Sequence, residues 1–392
     1  MKSFAGAYVN LLKTSIGSGV LSFPFLFKTY GVIPTIIFTI ISGYFATTGL
    51  VLLTVCSQVL GRSADMSKLA SVTFPYARFF VDLAVFAKCF GVSLSYIIIA
   101  KQLIPSITSL LPTQHIFPLP PKMSLLIFLG FAGPFAYFNK LDKLKYTSFV
   151  GIFSIMLVII AAIFRYLKMD AKDLPKFYFF GSVNQLWITG LGKFIFSFTC
   201  HQNIFAVNAE LEDNSMKRMN RLIFTVSLSS FTLYISFGLT NYFLYSNDVV
   251  SNVLNNYPQD LLATIVRGLY IIVMGVSFPL QLAPARTYML NMLGISKRSK
   301  NYEMTYFVTT TVLIALTYII AISEVELGIV YSIVGATASC FMCLILPALF
   351  YFNLEIERTL WLSIAAYFGF LLGVFIFVTT IFTLLIGVNV NH

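Results

Sequence analysis

Long apolar stretches, separated by short polar segments, fill almost the whole chain. A membrane-spanning helix needs about 20 largely apolar residues, and about eleven stretches approach or exceed that length. The candidate spans are 5–28, 32–56, 79–104, 123–138, 146–166, 188–208, 222–245, 261–283, 304–323, 326–352 and 360–386. The alternating ten-residue pattern of a membrane β-barrel is not seen, and helices satisfy their own backbone groups in lipid. The pattern therefore predicts an all-α polytopic membrane protein with about eleven transmembrane helices.

Composition agrees with this prediction. Hydrophobic residues make up 58% of the 392 residues and charged residues only 10%, with a mean hydropathy of +0.85. The remaining chain is too short for a soluble catalytic or binding domain. We predict one transmembrane domain over residues 1–386 and a short tail over 387–392.

The distribution of lysine and arginine predicts the orientation, because basic residues collect on the cytosolic side. With a cytosolic N-terminus, fifteen basic residues fall on the cytosolic side: Lys2, Arg62, Lys68, Arg78, Lys140, Lys143, Lys145, Lys217, Arg218, Arg221, Arg286, Lys297, Arg298, Lys300 and Arg358. Six fall on the other side: Lys28, Lys122, Arg165, Lys168, Lys172 and Lys176. An odd number of spans places the C-terminal tail outside the cytosol, in a lumen or outside the cell. The net charge of +11 reflects this bias, so no nucleic-acid partner is predicted.

Five further basic residues lie within or near apolar segments: Lys13, Lys88, Lys101, Lys193 and Arg267. A basic group at a helix centre costs roughly 2.5–3.5 kcal/mol on insertion scales. Three of them can extend towards a span end. Lys88 can be either structural or functional, and Lys13 stands beside an unusual glycine motif.

Span one carries the sequence Gly-Ser-Gly at 17–19 near its middle, followed by Pro24. Glycine and proline both weaken a helix, although glycine is also common where membrane helices pack closely. Hydroxyl side chains surround the motif, at Thr14, Ser15, Ser18 and Ser22. We predict a helix break that exposes N–H groups suited to a carboxylate.

Span six carries an unbroken polar row from Thr199 to Asn203. These side chains either bond to neighbouring helices or line a break. Spans one and six occupy corresponding positions in two five-helix halves, and interrupted helices at such positions indicate the midplane site of a secondary transporter. Their convergence favours a zwitterion, with its carboxylate on free N–H groups and its ammonium on free carbonyls.

The five cysteines all lie in apolar segments. Cys340 and Cys343 form a CxxC pair, but a redox or metal pair favours a polar, accessible setting. We therefore assign the pair to helix packing and predict neither a metal site nor a cofactor.

Five motifs resemble the amino acid/auxin permease family, and most closely the fungal vacuolar amino acid transporters, relatives of the sodium-coupled neutral amino acid transporters. They are NLLKTSIGSGVLSFPF, GVSLSYIIIAKQLIP, FSFTCHQNIFAVNAEL, SFPLQLAPAR and GIVYSIVGATASCFMCLILPALFYF. The resemblance implies a LeuT-type inverted repeat of five and five helices, with repeats at 5–166 and 188–352 and an extra helix at 360–386. It also implies transport of amino acids by alternating access, driven by an ion gradient.

The resemblance also implies site residues. The substrate carboxylate would meet Gly17, Ser18 and Gly19, and the amino group would meet the backbone near Phe198, Thr199 and Cys200. Ser95, Tyr96 and Ser277 would approach from spans three and eight. The full predicted substrate set is Thr14, Ser15, Gly17, Ser18, Gly19, Ser95, Tyr96, Phe198, Thr199, Cys200, His201 and Gln202.

Lys13 bears on the coupling ion. Sodium-coupled relatives tend to carry asparagine at this position, and an ammonium group there would repel Na⁺. A buried lysine can instead exchange a proton, so we predict proton coupling through Lys13, with Ser277 nearby. His201 is a second candidate proton carrier, or else a neutral residue that braces span six. Glu210 could form a gate with Lys217 or Arg218, or could simply end its helix in solvent.

Other functional classes are disfavoured. No HExxH, GxSxG or paired intramembrane aspartates suggest an enzyme, and no rings of charge suggest a channel. An amino acid sensor on the same fold and a sodium-coupled symporter remain as alternatives, although sensors usually carry a cytosolic tail that this sequence lacks.

We predict a monomeric transporter of small zwitterionic amino acids, with protons and the lipid bilayer as its other partners. A vacuolar or lysosomal membrane with export to the cytosol is favoured over the plasma membrane.

Overall fold

The computed structural model describes residues 3–108, 120–138, 147–170, 172, 175–183, 186–296 and 298–385. The described residues form helices and connecting segments. The helices are α1 (Phe4–Ile16), α2 (Phe23–Tyr30), α3 (Val32–Leu60), α4 (Met66–Thr73), α5 (Arg78–Thr108), α6 (Pro121–Ala132), α7 (Thr147–Leu167), α8 (Leu186–Ser197), α9 (His201–Glu210), α10 (Met216–Tyr245), α11 (Leu261–Met292), α12 (Tyr302–Ile322), α13 (Leu327–Val334), α14 (Leu346–Asn353) and α15 (Leu360–Leu385). The predicted tail and the basic residues Lys2, Lys140, Lys143, Lys145 and Lys297 lie outside the described residues.

The helices follow the predicted spans. Eight stretches among the described residues are long and apolar enough to cross a membrane. Spans one and six are each divided, into α1 and α2 and into α8 and α9. Span four is the twelve-residue α6 followed by a 3₁₀ turn at Pro134–Tyr137. The all-α prediction and both predicted interruptions are confirmed.

Several helices extend beyond the apolar windows that predicted them. Helix α11 runs to Met292, nine residues past the predicted end of span eight at 283, and contains Pro279 and Pro284. Helix α4, which the apolar pattern does not predict, begins at an Asp65 N-cap that accepts a hydrogen bond from the backbone of Lys68. Hydropathy marks the part of a helix that suits hydrocarbon, whereas capping decides where the helix begins and ends.

Contacts at the helix ends show which connections share a side of the bundle. Arg62, after α3, donates hydrogen bonds to the carbonyls of Ala209 and Leu211 at the end of α9. At the opposite end of the bundle, Lys28 donates to the carbonyl of Val249. Arg62 and the end of α9 therefore lie at one end of the bundle, and Lys28 and Val249 lie at the other. The distribution of basic residues predicts the same arrangement.

Span ten changes its winding in the middle. Between α13 and α14 the backbone forms two π-helical segments, Gly335–Ser339 and Phe341–Ile345. Here α8 approaches so closely that a Cβ on Gly335 would lie 2.0 Å from the carbonyl oxygen of Gly192. The two backbones pack without intervening side chains, as small residues permit in membrane bundles.

We expect Gly335→Ala to destabilise the protein by about 1–3 kcal/mol, because the added methyl group forces the α8 backbone away. The measurement is the melting temperature of purified protein in detergent. Gly130→Ala is the matched control, since Gly130 lies in α6 with no atom within 4 Å of the added carbon. Equal melting temperatures for the two variants would contradict the close approach.

Candidate substrate site between two broken helices

The break in span one is built around Gly17. Helix α1 ends with a hydrogen bond from Gly17 N to the carbonyl of Lys13, and Gly17 then adopts a φ of 44°, which favours glycine. A 3₁₀ turn at Gly19–Ser22 leads into α2, whose first turn contains Pro24. The first N–H groups of a helix have no partner within it. The break therefore presents donors at its α2 side and carbonyls at its α1 side.

The break in span six contains three residues. Helix α8 ends at Ser197, residues 198–200 are not helical, and α9 begins at His201 with Cys200 as its N-cap. Thr199 N donates to the carbonyl of Phe196. Unlike the first break, this one contains no glycine.

The two breaks lie against each other. A Cβ on Gly19 would lie 2.8 Å from Ser197 Oγ and 3.3 Å from Ser197 Cα. Asn203 in the first turn of α9 donates to Thr14 Oγ1 of α1 at 2.8 Å. The predicted convergence of the two interrupted helices is therefore present in the structure.

Tyr234 of α10 connects the carbonyl ends of both half-helices. Its fully buried hydroxyl lies 2.7 Å from the carbonyl oxygen of Ser15 and 3.2 Å from that of Ile16, at the end of α1. The same hydroxyl lies 2.5 Å from the carbonyl oxygen of Ser197, the last residue of α8. A phenol has one proton to donate, so three acceptors converge on a single donor.

The Tyr234 ring also contacts both breaks. It stacks on Phe23 with a centroid separation of 4.3 Å and meets Phe198 edge-on at 5.1 Å. Its position is therefore fixed by packing as well as by hydrogen bonds. The Phe198 ring contacts α10 and approaches Gly43 of α3.

Hydroxyl groups collect on the other side of the first break. Ser18 Oγ lies 2.8 Å from Ser95 Oγ of α5, and Tyr331 of α13 donates to the carbonyl of Ser18 at 2.9 Å. Ser22 donates back to the carbonyl of Gly19. Spans one, three and ten thus meet at the Gly-Ser-Gly motif.

A small cavity lies between the breaks, with a volume of about 10 Å³. Seven predicted substrate residues line it: Thr14, Ser15, Gly17, Ser18, Gly19, Tyr96 and Thr199. Lys88, Val92 and Gln281 complete the walls from spans three and eight. This volume accommodates about one water molecule, so an amino acid needs the helices to move apart.

A second cavity lies on the far side of Gly17, with a volume of about 30 Å³. Lys13 and Ser277 both line it, together with Gly17 and Tyr96. Two of the three residues predicted to take part in ion coupling therefore line one cavity, whereas the third, His201, does not line it. Ser277 Oγ donates to the carbonyl of Val273 in its own helix.

His201 lies away from both cavities and connects three spans. Its Nε2 is 3.0 Å from the carbonyl oxygen of Ala46 in α3, and its Nδ1 is 3.2 Å from Cys343 Sγ in span ten. Cys343 Sγ also lies 3.1 Å from Thr199 Oγ1. This arrangement agrees with the alternative in which His201 is a neutral residue that braces span six. Cys200 and Gln202 likewise do not line the two cavities.

Glu210 is the last residue of α9. The carbonyls of the residues before and after it, Ala209 and Leu211, accept hydrogen bonds from Arg62. Arg218, one of its two predicted partners, instead lies 3.6 Å from Asp213. Hydrogen bonding from Ser215 lowers the pKa of the exposed Asp213 carboxyl. In the chain as far as it is described, no three His, Cys, Asp or Glu side chains cluster as metal ligands.

Sequence reasoning did not single out Tyr234, Tyr331 or Gln281. Both tyrosines lie in apolar helices where a tyrosine is unremarkable, so only their contacts reveal their place at the breaks. Lys88 did give a signal, because a basic residue within a span indicates a functional site.

Comparison with known proteins agrees with this geometry. Residues 2–389 match the family model of the transmembrane amino acid transporter protein family. Vacuolar amino acid transporter 5 of Saccharomyces cerevisiae is 28% identical over 88% of this chain and 87% of its own length.

Two solved structures share the fold, and both are transporters of the LeuT type. MhsT in complex with L-phenylalanine has a TM-score of 0.62 at 13% identity, covering 96% of this chain and 98% of its own. The inward-facing conformation of Mhp1 has a TM-score of 0.67 at 11% identity, covering 97% and 89%.

The family match extends over nearly the whole chain and includes both broken helices. Its members are transporters rather than enzymes. This multi-pass membrane chain, with its two facing helix breaks and LeuT-type fold, belongs to the transmembrane amino acid transporter protein family.

Proposed function

We propose that this amino acid transporter is a secondary active carrier that binds zwitterionic amino acids between the two breaks and releases them by alternating access. The carboxylate binds the N–H groups around Ser18 and Gly19, beside the Ser18 and Ser95 hydroxyls. The ammonium binds the carbonyls of Ser15 and Ser197. The two repeats, 5–166 and 188–352, move relative to each other.

The observation that carries the proposal is the opposite polarity of the two ends of the site. Carbonyls from the ends of α1 and α8 converge at the Tyr234 hydroxyl. The start of the second half of span one lies on the other side of the break. Helix ends carry partial charges of opposite sign, which match the two charges of an amino acid.

We further propose that transport is coupled to protons through Lys13. This residue lies four positions before Gly17 and shares a cavity with Ser277. An ammonium group in that cavity disfavours Na⁺, which requires oxygen ligands. It can bind and release a proton as the cavity opens to each side in turn.

The membrane and direction are also proposals. The relative from Saccharomyces cerevisiae is named a vacuolar amino acid transporter, which supports a vacuolar or lysosomal membrane and export to the cytosol. The excess of basic residues on one side supports a cytosolic N-terminus and a luminal C-terminus. A single chain contains both breaks and both cavities, which supports a functional monomer.

The test is transport by purified protein in liposomes with an imposed pH step, screened against the twenty amino acids with and without Na⁺. We expect at least one amino acid to accumulate when the compartment from which it enters is acidic, in the absence of Na⁺. If no amino acid moved under any condition, carrier function would be refuted. Transport that required Na⁺ at fixed pH would refute proton coupling alone.

A further inference from the structure

Lys88 lies in the middle of α5, with 2% of its surface exposed. It lines the cavity between the breaks, together with Thr199 and Gln281. Among the residues that the structure describes, its ammonium forms no hydrogen bond or ion pair. An ammonium buried without a partner is strongly unfavourable, so Lys88 is stable as a cation only when an anion enters beside it.

The residues of α5 that face this cavity form one stripe. Lys88, Val92 and Tyr96 follow at intervals of four, which places them on the same helix face. The Ser18–Ser95 contact marks the level of the proposed carboxylate position. Lys88 Cα lies about 12 Å farther along the helix axis from Tyr96, at 1.5 Å per residue. The cavity wall thus extends from the amino acid backbone position towards Lys88.

The opposite wall is also polar at this level. Gln281 of α11 is 7% exposed, and its Oε1 has no hydrogen-bond partner within the described parts of the chain. A side-chain amide can rotate to present its N–H₂ donors to an anion. Lys88 and Gln281 therefore offer a cation and an amide to one buried group.

The charged and titratable groups near Lys88 do not supply that anion. The titratable groups near Lys88 are the thiols of Cys89, Cys200 and Cys343 and the imidazole of His201, all buried. A cationic substrate side chain would be repelled here, and a neutral one would leave the ammonium unpaired. A carboxylate would form a charge-assisted hydrogen bond with it.

We infer that Lys88 binds the side-chain carboxylate of the substrate, so that the transported class is the acidic amino acids. The inference rests on the proposed function and narrows it, because such molecules retain the α-ammonium and α-carboxylate that the two breaks accommodate. A short methylene chain separates their two carboxylates. One then meets the first helix break, and the other lies against Lys88 and Gln281.

Glutamate and glutamine provide the test, because they differ only in a carboxylate and an amide. In liposomes with a pH step, we expect wild-type protein to take up glutamate at least roughly tenfold more efficiently than glutamine, the value of one good charge-assisted hydrogen bond. Lys88→Met should remove this preference, whereas Lys88→Arg should retain part of it. Lys101→Met is the control, since Lys101 lies on the same helix but donates to the carbonyl of Ala321, away from the cavity.

The possible results distinguish the role of Lys88 in substrate selection from amino acid transport itself. Transport of glutamine or alanine but not glutamate by wild-type protein would overturn the role of Lys88 while leaving amino acid transport intact. Transport of no amino acid would refute the carrier function itself. If Lys88→Met did not fold, thermal stabilisation of wild-type protein by glutamate but not by glutamine would support the inference. Equal stabilisation by both would overturn it.

Discussion

Lys13→Ala is expected to abolish proton-driven accumulation of amino acid while leaving downhill exchange measurable. The physical reason is that the variant removes the group proposed to carry the coupling proton, whereas the two breaks proposed to bind the substrate remain. Lys13 lines the cavity beside Ser277 but does not line the smaller cavity between the breaks. The loss is therefore a loss of coupling, with substrate binding retained.

The measurement is accumulation in liposomes as a function of the imposed pH step, compared with counterflow at equal pH on both sides. In wild-type protein, accumulation should rise as the entry side becomes more acidic. In Lys13→Ala, accumulation should not change with the size of the pH step. Lys168→Ala is the control, because Lys168 is an exposed residue after α7. A variant that still accumulates substrate in proportion to the pH step would show that another group carries the proton.

Tyr234→Phe is expected to lower the apparent affinity for amino acid by roughly ten- to hundredfold, because the carbonyls proposed to bind the ammonium are no longer held in one arrangement, a loss comparable to one or two hydrogen bonds of about 1–1.5 kcal/mol each. The hydroxyl holds the carbonyls of Ser15, Ile16 and Ser197 in one place. Without it, the ends of α1 and α8 lose their common donor, and the proposed ammonium position is no longer fixed before substrate arrives.

Concentration-dependent uptake by both proteins measures this effect, with the melting temperature as a check on folding. Tyr367→Phe is the matched control, because it removes the hydroxyl of a tyrosine that is 55% exposed on α15. An unchanged or improved affinity in Tyr234→Phe would mean that the hydroxyl competes with the ammonium instead of preparing its site. That result would reverse the role assigned to Tyr234.

Much of the fold could be predicted from the sequence because the membrane imposes strict length and polarity requirements. The apolar windows located each span, and Gly17 with Gly19 located the first break. The second break was predicted from its polar row together with its correspondence to span one, since residues 198–200 contain no helix-breaking residue. The π-helical segments of span ten and the added helix α4 could not be predicted, because they follow from packing and capping rather than hydropathy.

The candidate site was predicted in part. Most residues beside the glycine motif do line a shared cavity, as their hydroxyl groups suggested. The residues of the polar row occupy different surroundings. Thr199 lines the cavity, whereas His201 connects Ala46 and Cys343. The sequence cannot separate these roles, because the direction of a side chain at a helix break depends on the neighbouring helices.

The sequence by itself determined that this is an all-helical membrane protein with two interrupted helices and a family signature along its length. These properties depend on local composition, which hydrocarbon selects residue by residue. Only the tertiary structure decided how the groups are arranged: the Tyr234 hydroxyl lies on three carbonyls and Ser18 on Ser95, while Lys13 shares one cavity with Ser277 and Lys88 shares another with Gln281. These pairs lie far apart in the chain, and their contacts arise from how the helices pack around the two breaks.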